Sequence, residues 1–342
     1  MKSVQFHEYG AARAVLHIAL DGALPTPGPS DLLVRVHASS VNPIDCAVRR
    51  GYGKEYFEAK GMSRLPICPG RDAAGEVIAV GSEVSEFRPG EAIYAATLGG
   101  ANADYALIPR TQAARKPESL DFTGAAAIPY AALTTWAALV DSAGLTPANA
   151  RQKRVVIPRA AGGVGSFAVQ LVKAWGGHVT AICSTRNVEM VRGLGADEVI
   201  DYKKNDPQAL LRDFDIAFDT SPGTEDMLLN ALKIDAEAQY VSIVSPRLRF
   251  VDQYGLEEGL RRGDEYFDAQ VNAQGALGRS YHWAFTHPNR AALKTIANLI
   301  DEGKIRPIID RTYSLDQIID AHEFCEGGSA TGKIVLEIAS SG

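Results

Sequence analysis

The run "VVIPRAAGGVGSFAVQ", residues 155–170, leads from an apolar stretch through small residues into a helical pattern. Such a turn is suited to holding an anion. Gly162 lets the backbone approach a pyrophosphate, Gly165 lets the helix pack closely on the preceding strand, and the helix N-terminus supplies unpaired N–H groups with partial positive charge. Ala161, Gly163 and Val164 complete the candidate loop, and Ala160 stands where the dinucleotide pattern has its first glycine. A second apolar run, "HVTAICS", ends in Ser184, Thr185, Arg186 and Asn187. Sites for NAD usually place a carboxylate there for the ribose 2′-hydroxyl, and none is present. Ser184 and Arg186 are read as holding a 2′-phosphate, so the expected cofactor is NADPH.

The chain that must position this loop has 342 residues, more than one compact core usually spans. Residues 1–124 carry short β-type runs broken by "PTPGPSD", "CPGRD" and "FRPGE", the pattern of a barrel-like β domain. Residues 125–285 alternate helical stretches with the apolar runs "VVIP", "HVTAICS", "EVIDY", "FDIAFDT" and "QYVSIVS", which predicts a parallel sheet covered by helices. Residues 286–342 offer further helices and a last strand expected to rejoin the first domain. The fold class is α/β.

A formal net charge of −6 with both signs scattered, and no aromatic-basic clusters, disfavours nucleic acid and favours a small-molecule partner. Cys46, Cys68, Cys183 and Cys325 form no Cys-x-x-Cys pair, so neither a disulfide framework nor a zinc knuckle is expected. Cys46 and Cys68 are read as neighbours at most, and each more simply as a small core residue. The start "MKSVQFHEYGAARAV" has no apolar signal core and no Arg/Ser-rich presequence. With no apolar run of membrane-spanning length recognised, a cytoplasmic protein is expected.

Together with "SSVNPIDCAVRRGYG", "PICPGRDAAGEV", "PYAALTTWAAL", "LGADEVIDYKK" and "TGKIVLEI", the loop resembles the medium-chain dehydrogenase/reductase superfamily, in its zinc-free quinone oxidoreductase branch. "VNPIDCAVRRGYG", "VKAWGGHVTAICS", "GKIRPIID" and "YHWAF" look most like the reticulon-4-interacting protein group. The resemblance implies a GroES-like β-rich catalytic domain split around a doubly wound Rossmann domain, with the active site between them. Two departures stand out. Arg159, Ala160 and Ala161 replace the usual Gly-Ala-Ser before the glycines, and Val188 replaces a lysine, leaving Arg186 as its substitute. Zinc relatives place Cys, His and Glu ligands where this chain has Asn42, Arg71 and Asp72, so no metal is expected.

Without a Lewis acid to ionise an alcohol, hydride delivery to a quinone or similarly activated carbonyl is the expected chemistry, with developing negative charge on an oxygen held by hydrogen-bond donors. The resemblance offers Asn42 and Tyr52 as those donors. It places Thr134 and Ser245 near the nicotinamide, Tyr202 near the adenosine phosphate, and Lys333 reaching the cofactor. Arg71 is read as attracting an anion or pairing with Asp45 or Asp72, and His282 and Trp283 as lining the pocket or a subunit contact. The alternatives are a 2-enoyl or alkenal double-bond reductase and a non-catalytic NADPH-binding protein. A homodimer is expected, paired through the last strand around "GALGRSYHWAF".

Overall fold

The computed structural model describes residues 1–62, 64–234 and 237–338. It forms two compact units, the first being Met1–Leu133 with Pro288–Glu302 and Pro307–Gly342, the second Thr134–His287 with Gly303–Arg306. The first border lies later than the change of character near residue 125, because the helix Phe122–Ala126 packs on strands of the β-rich unit.

The first unit opens with a short ribbon, β1 (Ser3–Gln5) with β2 (His17–Ala19). Five strands follow: β3 (Asp31–Val41), β4 (Asp72–Val80), β5 (Ala92–Ala96), β6 (Tyr105–Pro109) and β7 (Ala113–Arg115). The second unit holds β8 (Arg154–Ile157), β9 (His178–Cys183), β10 (Glu198–Asp201), β11 (Ile216–Asp219), β12 (Ala238–Ser242) and β13 (Arg279–Trp283). The tail returns to the first unit with β14 (Ile309–Ser314) and β15 (Lys333–Glu337).

β3 is long and carries the buried apolar residues Leu32, Leu33, Val34, Val36 and Val41. It is the hub of the first unit's sheet, pairing antiparallel with β4, β6 and β15. The antiparallel pairing of β15 sets Ile334 opposite Val41, so the residue before the one, Lys333, and the residue after the other, Asn42, meet at one edge. The second unit's sheet is parallel, in the order β10-β9-β8-β11-β12-β13. This is the doubly wound order, with its switch point between β8 and β11. β8 and β11 are buried almost throughout, as strands covered on both faces must be, which is why they read as continuous apolar runs.

One helical stretch, Phe122–Ser142, does reach membrane-spanning length and apolarity, contrary to the sequence reading. It is 78% buried within the protein, as a core helix is.

Candidate active site

In the second unit the turn after β8 sits at the switch point. Arg159 takes a left-handed backbone (φ 50°), and its carbonyl accepts the Gly162 N–H at 2.9 Å. The helix Gly163–Ala174 then starts from Gly162, which brings no side-chain cap. It begins three residues earlier than the pattern from Ser166 suggests, so Gly163, Val164 and Gly165 form its first turn and direct their N–H groups outward. Ala161 is buried and Gly162 half-exposed, leaving the backbone of the loop accessible. A nicotinamide dinucleotide fits this loop: the first turn is anion-ready and no side chain fills it.

Gly165 fixes the spacing of helix and strand. A Cβ there would lie 2.5 Å from the Arg159 carbonyl oxygen and 2.8 Å from the Ala160 Cα, backbone atoms that cannot yield. At Gly162 the nearest atom would be at an ordinary 3.4 Å. Gly165→Ala should therefore lower stability by about 1–3 kcal/mol and weaken the cofactor, whereas Gly162→Ala should unfold like wild type. Thermal unfolding and a fluorescence titration of both variants check this; equal melting of the two would show that the loop has slack.

Ser184 follows the last residue of β9, and Arg186 lies exposed in the short 3-10 turn Thr185–Asn187. Asn187 Nδ2 donates to Ser184 Oγ at 3.3 Å. Parallel pairing sets Asp201 beside Cys183, and the Tyr202 N–H donates to the Cys183 carbonyl at 3.2 Å. Tyr202, 48% exposed, thus stands next to Ser184, with the Lys203 ammonium 5.2 Å from its ring. Ser184, Arg186 and Tyr202 are brought to one strand edge. Lys203 joins them unforeseen, although "DYKK" carried the signal. The nearby Asp201 carboxylate is turned inward, accepting the Lys203 N–H at 3.0 Å.

Further along the same strand ends, Thr134 Oγ1 meets Thr286 Oγ1 at 2.7 Å. Ser245 and Trp283 line a cavity of about 140 Å³ with Asp219, Ser242 and Arg249. His282 instead pairs with Gln239 at 3.0 Å, and burial holds its imidazole below the usual pKa. Sequence reasoning missed Asp219. It ends β11, accepts Tyr240 Oη and Thr224 Oγ1 at 2.6 Å each, and is pushed by burial above the ordinary carboxyl range.

In the first unit, a buried polar cluster gathers where β3 ends and β4 and β15 begin. Asn42 caps the helix Pro43–Arg49, its N–H donating to Asp45 Oδ2 at 2.9 Å. The Asn42 amide Nδ2 donates to Asp72 Oδ2 at 2.9 Å and Ser40 Oγ at 3.2 Å. Lys333 Nζ donates to Asp72 Oδ2 at 2.9 Å and to Asn42 Oδ1. Asp72 is completely buried and also accepts Ser40 Oγ and, at 2.6 Å, the Tyr130 N–H. Arg71 pairs with Asp45 Oδ1 at 3.3 Å, which decides between the two aspartates; burial raises the Asp45 pKa.

This geometry corrects the reading of Asn42 as a donor to substrate, because both amide hydrogens are spent inside the cluster. Asn42 and Lys333 are joined to each other, and Lys333, 6% exposed, points into the protein rather than outward. Tyr52 lies half-buried in the turn after this helix, its N–H on the Ala47 carbonyl. Cys46 and Cys68 do not pair: Cys46 Sγ lies 3.4 Å from His322 Nδ1, whereas Cys68 Sγ donates to the Pro69 and Asn102 carbonyls.

Residues 28–127 match the alcohol dehydrogenase GroES-like domain and residues 194–336 the zinc-binding dehydrogenase family. The human NAD(P)H oxidoreductase RTN4IP1, mitochondrial, is 38% identical over 91% of this chain and 82% of its own. The Arabidopsis thaliana chloroplast envelope quinone oxidoreductase homolog is 31% identical over 98% of each chain. This chain belongs to the medium-chain dehydrogenase/reductase superfamily. Within it, this medium-chain reductase groups with the RTN4IP1 and quinone oxidoreductase homologues and is an oxidoreductase with a nicotinamide cofactor. The solved quinone oxidoreductase of Coxiella burnetii superposes with a TM-score of 0.81 at 26% identity, covering 99% of both chains.

The relatives overturn the cytoplasmic expectation, since the animal ones are named mitochondrial and the plant ones chloroplastic, an organellar address. Unpaired cysteines separate reducing from oxidising surroundings, not one reducing compartment from another. Zinc, implied by one family name, does not fit the residues at Asn42, Arg71 and Asp72. They offer an amide, a guanidinium and one carboxylate already saturated by Lys333, Asn42, Ser40 and Tyr130. Among the described residues no group of three or more His, Cys, Asp or Glu side chains is arranged to hold a metal.

Proposed function

We propose that this reductase uses NADPH to reduce a quinone or a similarly activated carbonyl without zinc. The observation that carries the reading is the Lys333 ammonium on Asp72 and Asn42, which places a protein cation where a zinc enzyme gathers its ligands. A fixed ammonium of this kind organises hydrogen bonds but does not ionise an alcohol as a metal does, so acceptors that are already electrophilic suit the site. Bound NADPH supplies the hydride. The chain's own residues hold its phosphates at the first turn of helix Gly163–Ala174 and its 2′-phosphate at Ser184 and Arg186, beside Tyr202. In the first unit, Asn42 and Lys333 position the helix Pro43–Arg49, after which Tyr52 presents its hydroxyl as the donor to the acceptor oxygen. Ser245 and Thr134 flank the nicotinamide. The names of the RTN4IP1 and quinone oxidoreductase relatives support the same reaction class. We also infer a homodimer paired along the edge strand β13, flanked by the exposed Leu277 and Phe285.

The test is NADPH oxidation with quinones, enones and enoyl thioesters after prolonged chelation. Quinones should be reduced at the unchelated rate. Loss of that rate on chelation with recovery on adding zinc overturns the zinc-free reading, and turnover restricted to enones or thioesters overturns the substrate class.

A further inference from the structure

The buried cluster of the first unit is balanced in charge but not in hydrogen bonds. Both oxygens of Asp72 are taken, Oδ1 by the Tyr130 N–H and Oδ2 by Lys333, Asn42 and Ser40. At Asp45, Oδ2 accepts the Asn42 N–H at 2.9 Å and Nδ2 at 3.3 Å, leaving Oδ1 to face Arg71. That oxygen lies 3.3 Å from Arg71 Nε, yet the approach is too poorly aimed to make a hydrogen bond. Among the described residues nothing accepts from Arg71 Nη1 or Nη2 either. The guanidinium therefore carries an ion pair through its inner nitrogen and an unused fork at its outer edge.

This fork is held in place. The Arg71 side chain is only 11% exposed, and its charge lies 5.6 Å from the centre of the Tyr130 ring. The backbone beneath it is fixed as well: the Arg71 carbonyl accepts the Thr97 N–H at 2.8 Å, and a Cβ on the preceding Gly70, at φ 101°, would lie 2.4 Å from Asn102 Oδ1. A charge that is largely desolvated and short of acceptors is costly to the protein alone. Its planar geometry matches a carboxylate, which accepts two parallel N–H bonds from such a fork. The phosphates of NADPH are assigned above to the second unit, at the helix Gly163–Ala174 and at Ser184 and Arg186. The anion that suits Arg71 then belongs to the acceptor.

We propose that Arg71 is a specificity-determining residue that binds a carboxylate of the acceptor through Nη1 and Nη2, so that the preferred substrate is an acidic quinone or carbonyl. The inference rests on the quinone or carbonyl reduction proposed above and adds no chemical step to it. The carboxylate anchors the molecule and leaves the reaction unchanged. Asp45, on the opposite side of the guanidinium's inner nitrogen, positions the fork.

The experiment compares a naphthoquinone bearing a propanoate side chain with its methyl ester, as acceptors for the full chain with NADPH. In wild type kcat/KM should favour the acid at least roughly tenfold, with the advantage in KM rather than kcat. In Arg71→Met the acid should lose about 10- to 150-fold relative to the ester. Arg71→Lys keeps a charge beside Asp45 but not the fork, so it should retain only part of the preference, and it supplies the readout where Arg71→Met fails to fold. Calorimetric titration of wild type and variants with naphthalene propanoate and its methyl ester, which have no quinone to reduce, reads the same preference without turnover. A protein that reduces neither quinone but binds the propanoate in an Arg71-dependent way would overturn the reaction class and support the anion site. Equal use and binding of acid and ester by wild type, a preference that survives both substitutions, or equal losses of acid and ester in the variants would each overturn the assignment and leave Arg71 as the partner of Asp45.

Discussion

Asp72→Ala should lower the free energy of unfolding by about 3–5 kcal/mol, the cost of stripping one partner from a buried ion pair. Asp72 is completely buried, and its carboxylate accepts Lys333 Nζ, Asn42 Nδ2, Ser40 Oγ and the Tyr130 N–H. The substitution leaves an ammonium, an amide, a hydroxyl and a backbone N–H without their acceptor in a site that water does not reach, which favours the upper part of that range. Asp72→Asn keeps the shape and one acceptor oxygen, so its loss should be smaller. Combining Asp72→Leu with Lys333→Met removes both charges and should recover part of what Asp72→Ala loses, because the uncompensated ammonium is gone. Urea unfolding of the three variants measures this. A midpoint shift with an unchanged slope is expected, and a loss below about 1 kcal/mol for Asp72→Ala would mean that the Lys333 ammonium finds water instead.

Arg186→Ala should weaken NADPH binding about 10- to 150-fold and leave NADH nearly unchanged. The range is that of one charge-assisted hydrogen bond, about 1.5–3 kcal/mol. Arg186 is exposed in the turn after β9, two residues from Ser184, and the carboxylate that ends the neighbouring strand β10, Asp201, is occupied by its own turn. Because this edge faces solvent, salt should narrow the difference between the two cofactors. Lys203→Ala should have a smaller effect in the same direction, since its ammonium lies over the Tyr202 ring. Paired titrations with NADPH and NADH, by tryptophan quenching or calorimetry, give the answer. Equal loss of both cofactors in Arg186→Ala would reduce the arginine to a loop residue.

The parts of this molecule that are local in the chain were legible in the sequence. The glycine loop combines strand, turn and helix within about twenty residues, so its periodicity and its glycines could be read together. The parallel strands announced themselves as short apolar runs because both faces of that sheet are covered. The helix start was misplaced because Gly163, Val164 and Gly165 are poor helix signals individually; their role there is to expose backbone N–H groups rather than to propagate a helix. What the sequence concealed was pairing across distance. Asn42 and Lys333 are 291 residues apart and meet only because β15 lies beside β3. Cys46 and His322 meet through the same return of the tail, so inspection of local spacing missed them. The compartment was illegible for a different reason: composition reports solubility and redox surroundings, not address.

The most direct test of the central claim is a single turnover. The protein saturated with one equivalent of NADPH is mixed anaerobically with excess quinone, and nicotinamide absorbance and quinol are followed together. The account predicts complete loss of the reduced-nicotinamide signal with one quinol formed per NADPH, at the same rate in chelated and untreated protein. NADPH bound stoichiometrically and left unconsumed by the quinone, or consumed only after zinc is added, would contradict it.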